Sequence, residues 1–486
     1  MINHLYNGYK KELQNYKKIQ DYFLGNTDAL KNYVTTERSN QIVSLNYLKK
    51  FVKEETAYSV GNPIAYQTKT ENFEAVKSLD AVMENYNENH DINTFAAMVL
   101  FGIVYEVTYI DKFDNLQVKY LKPTEAFHLE DSEGNITNFI HVYDLVEYED
   151  DLEVTNTYID EYTESEINTY KVEDEPMLIE TREHYFGEIP VGKAVISEYR
   201  WKDTLYNDIK GLQDALETNT SDVVNEISDF RNAYMVLTGL ALEETEAEKL
   251  KKSGIIEMQN SDGKVEWLVK NVNDTFVKNI LGDLHEKLFE ITSHINHNDA
   301  EAMSNASGVA LKSRLISLTQ RCSINEGAFK ELLKTRIRLI FKFISITQST
   351  TYNWKDIKIR FTPAIPNDDA QIASLIQKLN GKLSASTGLS LLSFVEDGKA
   401  EYEKAQQEQS RENALNEVVS NVRSVRNYID KFTEEDPETE FNAIVEEKSL
   451  LAGSDIGEFS YNSENTNDGD DEIEQAEKLE EQKLSE

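Results

Sequence analysis

The sequence predicts an α+β protein, on three observations. Apolar residues fall at helical spacing before about residue 102 and again after residue 203. Between residues 104 and 198 the period changes to alternation with hairpin turns, as in 104–109 and 116–121 around the turns at 111–115 and 131–135. Two later segments carry heptad seams.

The early helices are expected at 9–25, 39–53, 73–86 and 91–102. The first stops at Gly25-Asn26. Strand-like runs continue at 139–146, 152–159, 167–172 and 177–185, and together they read as an antiparallel meander. The first seam lies on one long helix over 203–237: Leu205, Ile209, Leu212, Leu216, Val223, Ile227, Phe230, Tyr234 and Leu237. The second is Val277, Leu281, Leu284, Leu288, Ile291 and Ile295. Between them the pattern suggests a small α/β insert, with a helix at 243–252 and a hairpin at 255–269. A polar loop at 296–308 precedes a third long helix at 309–346, then a strand at 357–361 and helices over 368–431.

Composition narrows the function. The chain has 486 residues, 40% of them apolar, so it can bury a core. One cysteine, Cys322, excludes an intramolecular disulfide. The longest apolar run, 95–105, is far short of the roughly 18 residues of a spanning helix, and the first residues show no signal-peptide pattern. Net charge is −38, of which 19 acidic and 4 basic residues in 431–486 supply −15. Such a surface repels phosphate and speaks against tight nucleic-acid grip, though not against a channel that DNA slides through. The one basic island is the helix at 309–346. It carries Lys312, Arg314, Arg321, Lys330, Lys334, Arg336, Arg338 and Lys342 against Glu326 and Glu331. In so acidic a chain most of these are expected to neutralise neighbouring carboxylates, with Lys312 and Arg314, nearest the polar loop, the candidates for a polyanion.

No phosphate-binding glycine loop, dinucleotide fingerprint or nucleophile elbow is present. His285, His294 and His297 cluster, and with Asp299 they suggest a weak metal site; a helix end running into a loop accounts for them more simply. Cys322 has no activating base nearby in sequence and reads as a packing residue. The carboxylates of 144–188 read as a solvated surface. No cofactor and no catalytic residue is expected.

Several stretches, in order, resemble portal proteins of tailed bacteriophages, the siphophage type of Gram-positive hosts. They are Asp21-Tyr22-Phe23-Leu24-Gly25, the segment 40–66 closing on Gly61-Asn62-Pro63-Ile64, 102–111, Leu121-Lys122-Pro123-Thr124-Glu125, Gly187-Glu188-Ile189-Pro190, Ser221-Asp222, 229–237 and 383–397. After Ile-Pro the family shows a Phe-x-Asn-Asn-type stretch, where this chain has Ile196-Ser197-Glu198-Tyr199-Arg200. The resemblance implies a portal fold: wing (1–202), stem helix (203–238), clip (239–275), second stem helix (276–295), tunnel loop (296–308), long helix and wing strand (309–367) and crown (368–431), with an acidic tail (432–486) outside the likeness.

It implies a ring, usually of twelve subunits, at a capsid vertex of the virion, assembled in the host cytoplasm, through which double-stranded DNA is packaged and ejected. Implied partners are the large terminase, the major capsid and scaffolding proteins and the head-completion adaptor. His297, Asn298, Asp299, Met303, Ser304, Asn305, Lys312 and Arg314 would face DNA. Leu212, Leu216, Val223, Ile227, Leu281, Leu284, Leu288 and Ile291 would form the inter-subunit stem seam. Glu257, Asp262, Lys264 and Trp267 would lie in the clip, facing the motor or connector. Two other readings remain: a different virion structural protein, adaptor or scaffold, without a channel, and a metal-dependent hydrolase using His294, His297 and Asp299.

Overall fold

The computed structural model describes residues 1–36, 40–149, 152–231, 234–238, 264–268, 274–296, 308–364, 369–379, 382–392, 395 and 398–429. Its contacts divide the chain into two units, Met1–Pro366 and Asn367–Glu486, a division that falls where the helices of the expected crown begin.

Helix α1 (Ile2–Phe23) buries Leu5, Tyr9, Tyr16, Ile19 and Tyr22, one face at helical spacing. It starts earlier than expected because Leu5 and Tyr9 pack with Ile140, Val142 and Ile159. Tyr16, Ile19 and Tyr22 belong to the main core instead, so α1 joins two cores. A short α2 (Asp28–Lys31) follows, its first turn capped by Thr27. Helix α3 (Tyr47–Val60) sits later than the expected 39–53. The Asn46 side chain caps it by accepting from the Lys49 N–H, so the helix begins there. Residues 40–46 carry no helix or strand.

Strand β1 (Ala65–Thr68) pairs antiparallel with Ile357–Arg360. Helices α4 (Phe73–Met83) and α5 (His90–Phe101) come next. Gly102 ends α5 in the left-handed region, φ 76°, where an added Cβ would stand 2.8 Å from the Arg200 carbonyl oxygen.

The expected antiparallel region forms two sheets. β2 (Ile103–Ile110) lies between β3 (Leu116–Leu121) and a later strand. β4 (Ala126–Glu130), β5 (Ile136–Glu149), β6 (Leu152–Tyr162), β7 (Glu166–Val172) and β8 (Pro176–Glu183) form a meander in sequence order. That later strand is β9 (Val191–Val195). β1, β4 and β9 have no counterpart among the expected strands, since each is four or five residues long.

Helix α6 (Leu205–Arg231) is shorter than the single helix expected to residue 237. Tyr234 and Leu237 lie instead on β10 (Tyr234–Thr238), which pairs antiparallel with β11 (Lys264–Leu268). A Tyr-Met-Val-Leu-Thr run fits a pleated strand better than a seam, whatever its spacing. The expected helix at 243–252 and the first arm of the hairpin at 255–269 lie outside the described residues. Helix α7 (Asp274–Thr292) packs along α6. α8 (Gly308–Gln348) is one continuous helix of 41 residues, roughly 60 Å long at 1.5 Å per residue, and β12 (Ile357–Arg360) follows it. The second unit contains α9 (Asp369–Lys378), α10 (Ala385–Leu389) and α11 (Gly398–Ile429).

The main core gathers apolar residues from α1, α3, α5, β2, α6, α7 and α8, among them Phe51, Phe95, Phe101, Leu288, Phe329 and Leu333. At its edge lies a buried ionic cluster. Arg336, 1% exposed, donates from Nε and Nη2 to the two oxygens of Glu106, also 1% exposed, at 2.9 and 2.5 Å. Its Nη1 lies 2.7 Å from Asp91, and His90 Nε2 lies 2.7 Å from Glu106. Although burial opposes it, the Arg336 charge with the His90 contact holds the Glu106 carboxyl down at about 2.

Arg336→Met should cost about 3–5 kcal/mol, because it removes the guanidinium from buried Glu106 and leaves His90 as its remaining partner. Urea unfolding at pH 7 measures this. Glu106 has a depressed folded-state pKa, so its contribution is complete above its ordinary 4.5 and is lost as pH falls toward about 2. The variant should show a shallower loss of stability across that interval.

Candidate functional site

The long helices α6, α7 and α8, and the segments that brace them, carry the residues expected to assemble the protein and line a channel. The seam divides into two kinds of residue. Leu216 and Leu288 are 3% and 0% exposed within this one chain. Leu212, Leu281 and Leu284 are half-buried and pack on the same core. Leu216 and Leu288, expected in the inter-subunit seam, are thus already buried within the single chain, because α6 and α7 pack on each other and on α3. Val223 is half-buried, and only Ile227 and Ile291 remain largely exposed, at 62% and 49%.

A second face of α6 escaped the sequence reading. Gln213, Glu217, Ser221 and Asn225 recur every four residues and are nearly wholly buried. They serve as hydrogen-bond partners for the irregular segment before α3. The Gln41 N–H donates to Asn225 Oδ1 at 2.9 Å, and Asn225 Nδ2 donates back to the Gln41 carbonyl at 2.9 Å. The Val43 N–H donates to Ser221 Oγ at 3.0 Å and the Leu45 N–H to Glu217 Oε1 at 2.9 Å. The Leu48 N–H reaches Gln213 Oε1 at 3.3 Å. Thr27 also donates its hydroxyl to Glu217. One helix face thus does for this strap what a neighbouring strand does in a sheet. Polar residues at a four-residue interval inside an apolar seam were the available signal.

The strap continues through α3 to the turn Gly61-Asn62-Pro63. Asn62 Nδ2 donates to the carbonyls of Thr362 and Pro363, and the Ala364 N–H donates to the Tyr58 carbonyl at 2.9 Å. At Gly61 a Cβ would stand 2.2 Å from the Ala57 oxygen and 3.1 Å from Ala364 Cβ, which leaves room for glycine alone.

The chain on either side of the expected tunnel loop is anchored to α3. Before it, His294 stacks on Phe51, 4.2 Å between ring centres, and its Nδ1 donates to the Thr292 carbonyl at 2.9 Å. Burial pushes this ring down to about 3, so it is neutral near pH 7. After the loop, Arg321 donates to Glu55 at 2.7 Å and to Asp208 at 3.3 Å, while Asn325 donates to the other Glu55 oxygen at 2.6 Å. His297, Asn298, Asp299, Met303, Ser304 and Asn305 lie outside the described residues. Lys312 and Arg314 fall on the first two turns of α8, with their side chains outside the description. Of the clip residues, Lys264 and Trp267 lie on β11, opposite Thr238 and Met235, while Glu257 and Asp262 are outside the described residues.

The other chemical candidates resolve into packing where they are described. His285 contacts the rings of Tyr47 and Phe289. His294 is held as above, and His297 and Asp299 lie outside the description. Cys322 is fully buried, and burial raises its thiol to about 12, far from a reactive thiolate. Most of the basic island pairs as expected: Arg321 as described, Arg336 with Glu106 and Asp91, Arg338 and Lys342 with Glu188, and Lys334 with Glu331. The acidic strands are not wholly a solvated surface. Asp160 and Glu161 are buried and accept from Thr169 at 2.7 Å and Tyr170 at 3.0 Å. Tyrosines, abundant in this chain, are the donors that let carboxylates sit in the sheet.

A family model described as phage portal protein, SPP1 Gp6-like, matches residues 2–415. The chain belongs to this portal family. The likeness covers the strap, helices α6, α7 and α8, and the second unit as far as residue 415. Among solved structures, the portal chain is similar to one from "Virion of native gene transfer agent (GTA) particle", at 9% identity and TM-score 0.41, covering 78% of this chain and 92% of that one. It is also similar to one from "Neck of empty GTA particle computed with C6 symmetry", at 9% identity and TM-score 0.39, covering 71% and 89%. No curated protein matches the portal chain.

Glu217→Ala removes the partner of the Leu45 N–H and of the Thr27 hydroxyl. It should cost about 1–3 kcal/mol and speed amide exchange at Leu45 relative to amides of the five-stranded sheet. Unchanged exchange at Leu45 would mean the strap does not depend on α6.

Proposed function

We propose that this portal protein assembles into a ring at one vertex of the capsid and acts as the conduit for double-stranded DNA during packaging and ejection, and as the docking platform for the packaging motor and the head-completion components. The observation that carries the reading is the match to the portal family over residues 2–415, joined to helices α6, α7 and α8 braced by α3. The acidic surface suits a passage, since DNA must move along it without condensing onto it. Hydrolysis then belongs to a separate motor.

In the ring, the helix surface left free by the chain's own core supplies the inter-subunit contacts, with Ile227 and Ile291 the seam residues that reach a neighbour. A repeated heterologous contact closes into a ring when its rotation permits. His297, Asn298, Asp299, Met303, Ser304 and Asn305, with Lys312 and Arg314, face the DNA. The segment containing Glu257, Asp262, Lys264 and Trp267 faces the motor or connector. The large terminase, capsid, scaffolding and adaptor proteins are the partners. The protein resides in the virion, after assembly in the host cytoplasm.

Native mass spectrometry and negative-stain imaging of the purified protein should show a ring with an axial opening. Ile227→Asp should weaken the ring and leave the thermal midpoint of the dissociated subunit within about 2 °C, whereas Leu288→Asp should unfold the subunit, because it buries a charge in the core. A chain that stays monomeric at all accessible concentrations sinks the reading. Lys312→Ala should lower the amount of DNA packaged in a reconstituted reaction with ring assembly intact; loss of the ring by that variant would instead place Lys312 at the subunit contact.

A further inference from the structure

At one end of the five-stranded sheet, α1 packs on a face, where Gly8 sits so close to Phe127 of β4 that a Cβ would stand 2.7 Å from its Cζ. At the other edge, β8 pairs with β7 alone among the described residues. Seven of its eight residues, from Met177 on, are exposed. Three consecutive large apolar side chains, Met177, Leu178 and Ile179, are 60%, 55% and 55% exposed. Proteins normally blunt such an edge, because unpaired N–H and C=O groups beside apolar side chains invite another strand. Ile179 stands at the register shift between the Thr169–Glu180 and Tyr170–Leu178 pairs, so the strand is locally irregular but remains paired on both sides of that point.

Charge states what can come there. Residues 126–183 hold 18 acidic side chains against Lys171 and Arg182, a net of −16 in a chain of −38. Acidic residues bracket the apolar run, with Glu173, Asp174 and Glu175 before it and Glu180 and Glu183 after it. A second copy of this sheet would bring a further net −16 against the same edge. A strand bearing lysine or arginine would meet complementary charge on both sides of an apolar centre.

We propose that β8 is a docking edge for an extended segment of another protein that carries lysine or arginine among apolar residues, and that this segment adds to the sheet as a sixth strand. Backbone hydrogen bonds along β8 supply the affinity, the Met177–Leu178–Ile179 run supplies apolar contact on both sheet faces, and the flanking carboxylates select for positive charge.

The test uses the full chain and a fluorescent synthetic nonapeptide, Lys-Val-Lys-Val-Thr-Val-Lys-Val-Lys, read by anisotropy. A comparison peptide has the same charge, with two valines replaced by proline. The strand-forming peptide should bind about tenfold tighter than the proline peptide. The double variant M177K/I179K should abolish that difference. The control E153Q/E164Q makes the same change in net charge elsewhere in the sheet and should preserve it. Far-UV circular dichroism shows whether each variant folds, and I179K alone replaces the double variant if that one does not. Equal binding of the two peptides, or equal loss in both variants, would reduce the effect to bulk charge and overturn the proposal. Loss of subunit association in M177K/I179K would assign the edge to a neighbouring copy and overturn it equally.

Discussion

An arginine almost wholly buried must be surrounded by its counter-charges, and Arg336 sets that constraint on the first unit. Glu106 comes from β2, Asp91 and His90 from α5, and Arg336 from the long helix α8. None of the three elements can shift without uncovering a charge in the core. Fifteen residues earlier on α8, Arg321 repeats the arrangement with Glu55 of α3 and Asp208 of α6. The second clasp is looser, since Arg321 keeps 26% of its side-chain exposure. Together the two arginines hold α8 to the helices and to the sheet at two points about four turns apart. In a chain of net −38 the few cations are spent on position as much as on neutralisation.

Much of this architecture was legible in the sequence because it rests on periodicity. The antiparallel region, α4, α5 and the long helix α8 all follow from apolar spacing and turn residues. What was not legible rests on partners distant in sequence. The start of α3 was misplaced because residues 40–46 are held by Glu217, Ser221 and Asn225, 172–184 positions away. The seam was visible, but which of its leucines face inward was not: Leu216 and Leu288 show the same spacing as Ile227 and Ile291, and only packing separates them. β10 was hidden inside a helical repeat because Tyr234 and Leu237 satisfy the heptad as well as the strand. The pairing of the basic island, by contrast, could be anticipated from charge arithmetic alone.

Family membership and the physical reading converge on a structural role. The chemistry one would look for in an enzyme is turned to packing where it is described: a thiol raised by burial, a neutral histidine stacked on Phe51, and tyrosines donating to sheet carboxylates. The polar investment goes instead into junctions that fix helices relative to one another. Those junctions surround the two ends of the segment expected to meet DNA, with His294 on one side and Arg321 on the other, both against the same turn of α3.

The ladder on α6 has a mechanical corollary. Four side chains at four-residue intervals grip successive backbone groups of one strap, so turning α6 about its own axis would break every rung together. Sliding it would have to skip a whole interval to find partners again. Rolling is therefore the motion these contacts oppose most, and a rotation imposed on the helix would be passed to the strap and through it to α3.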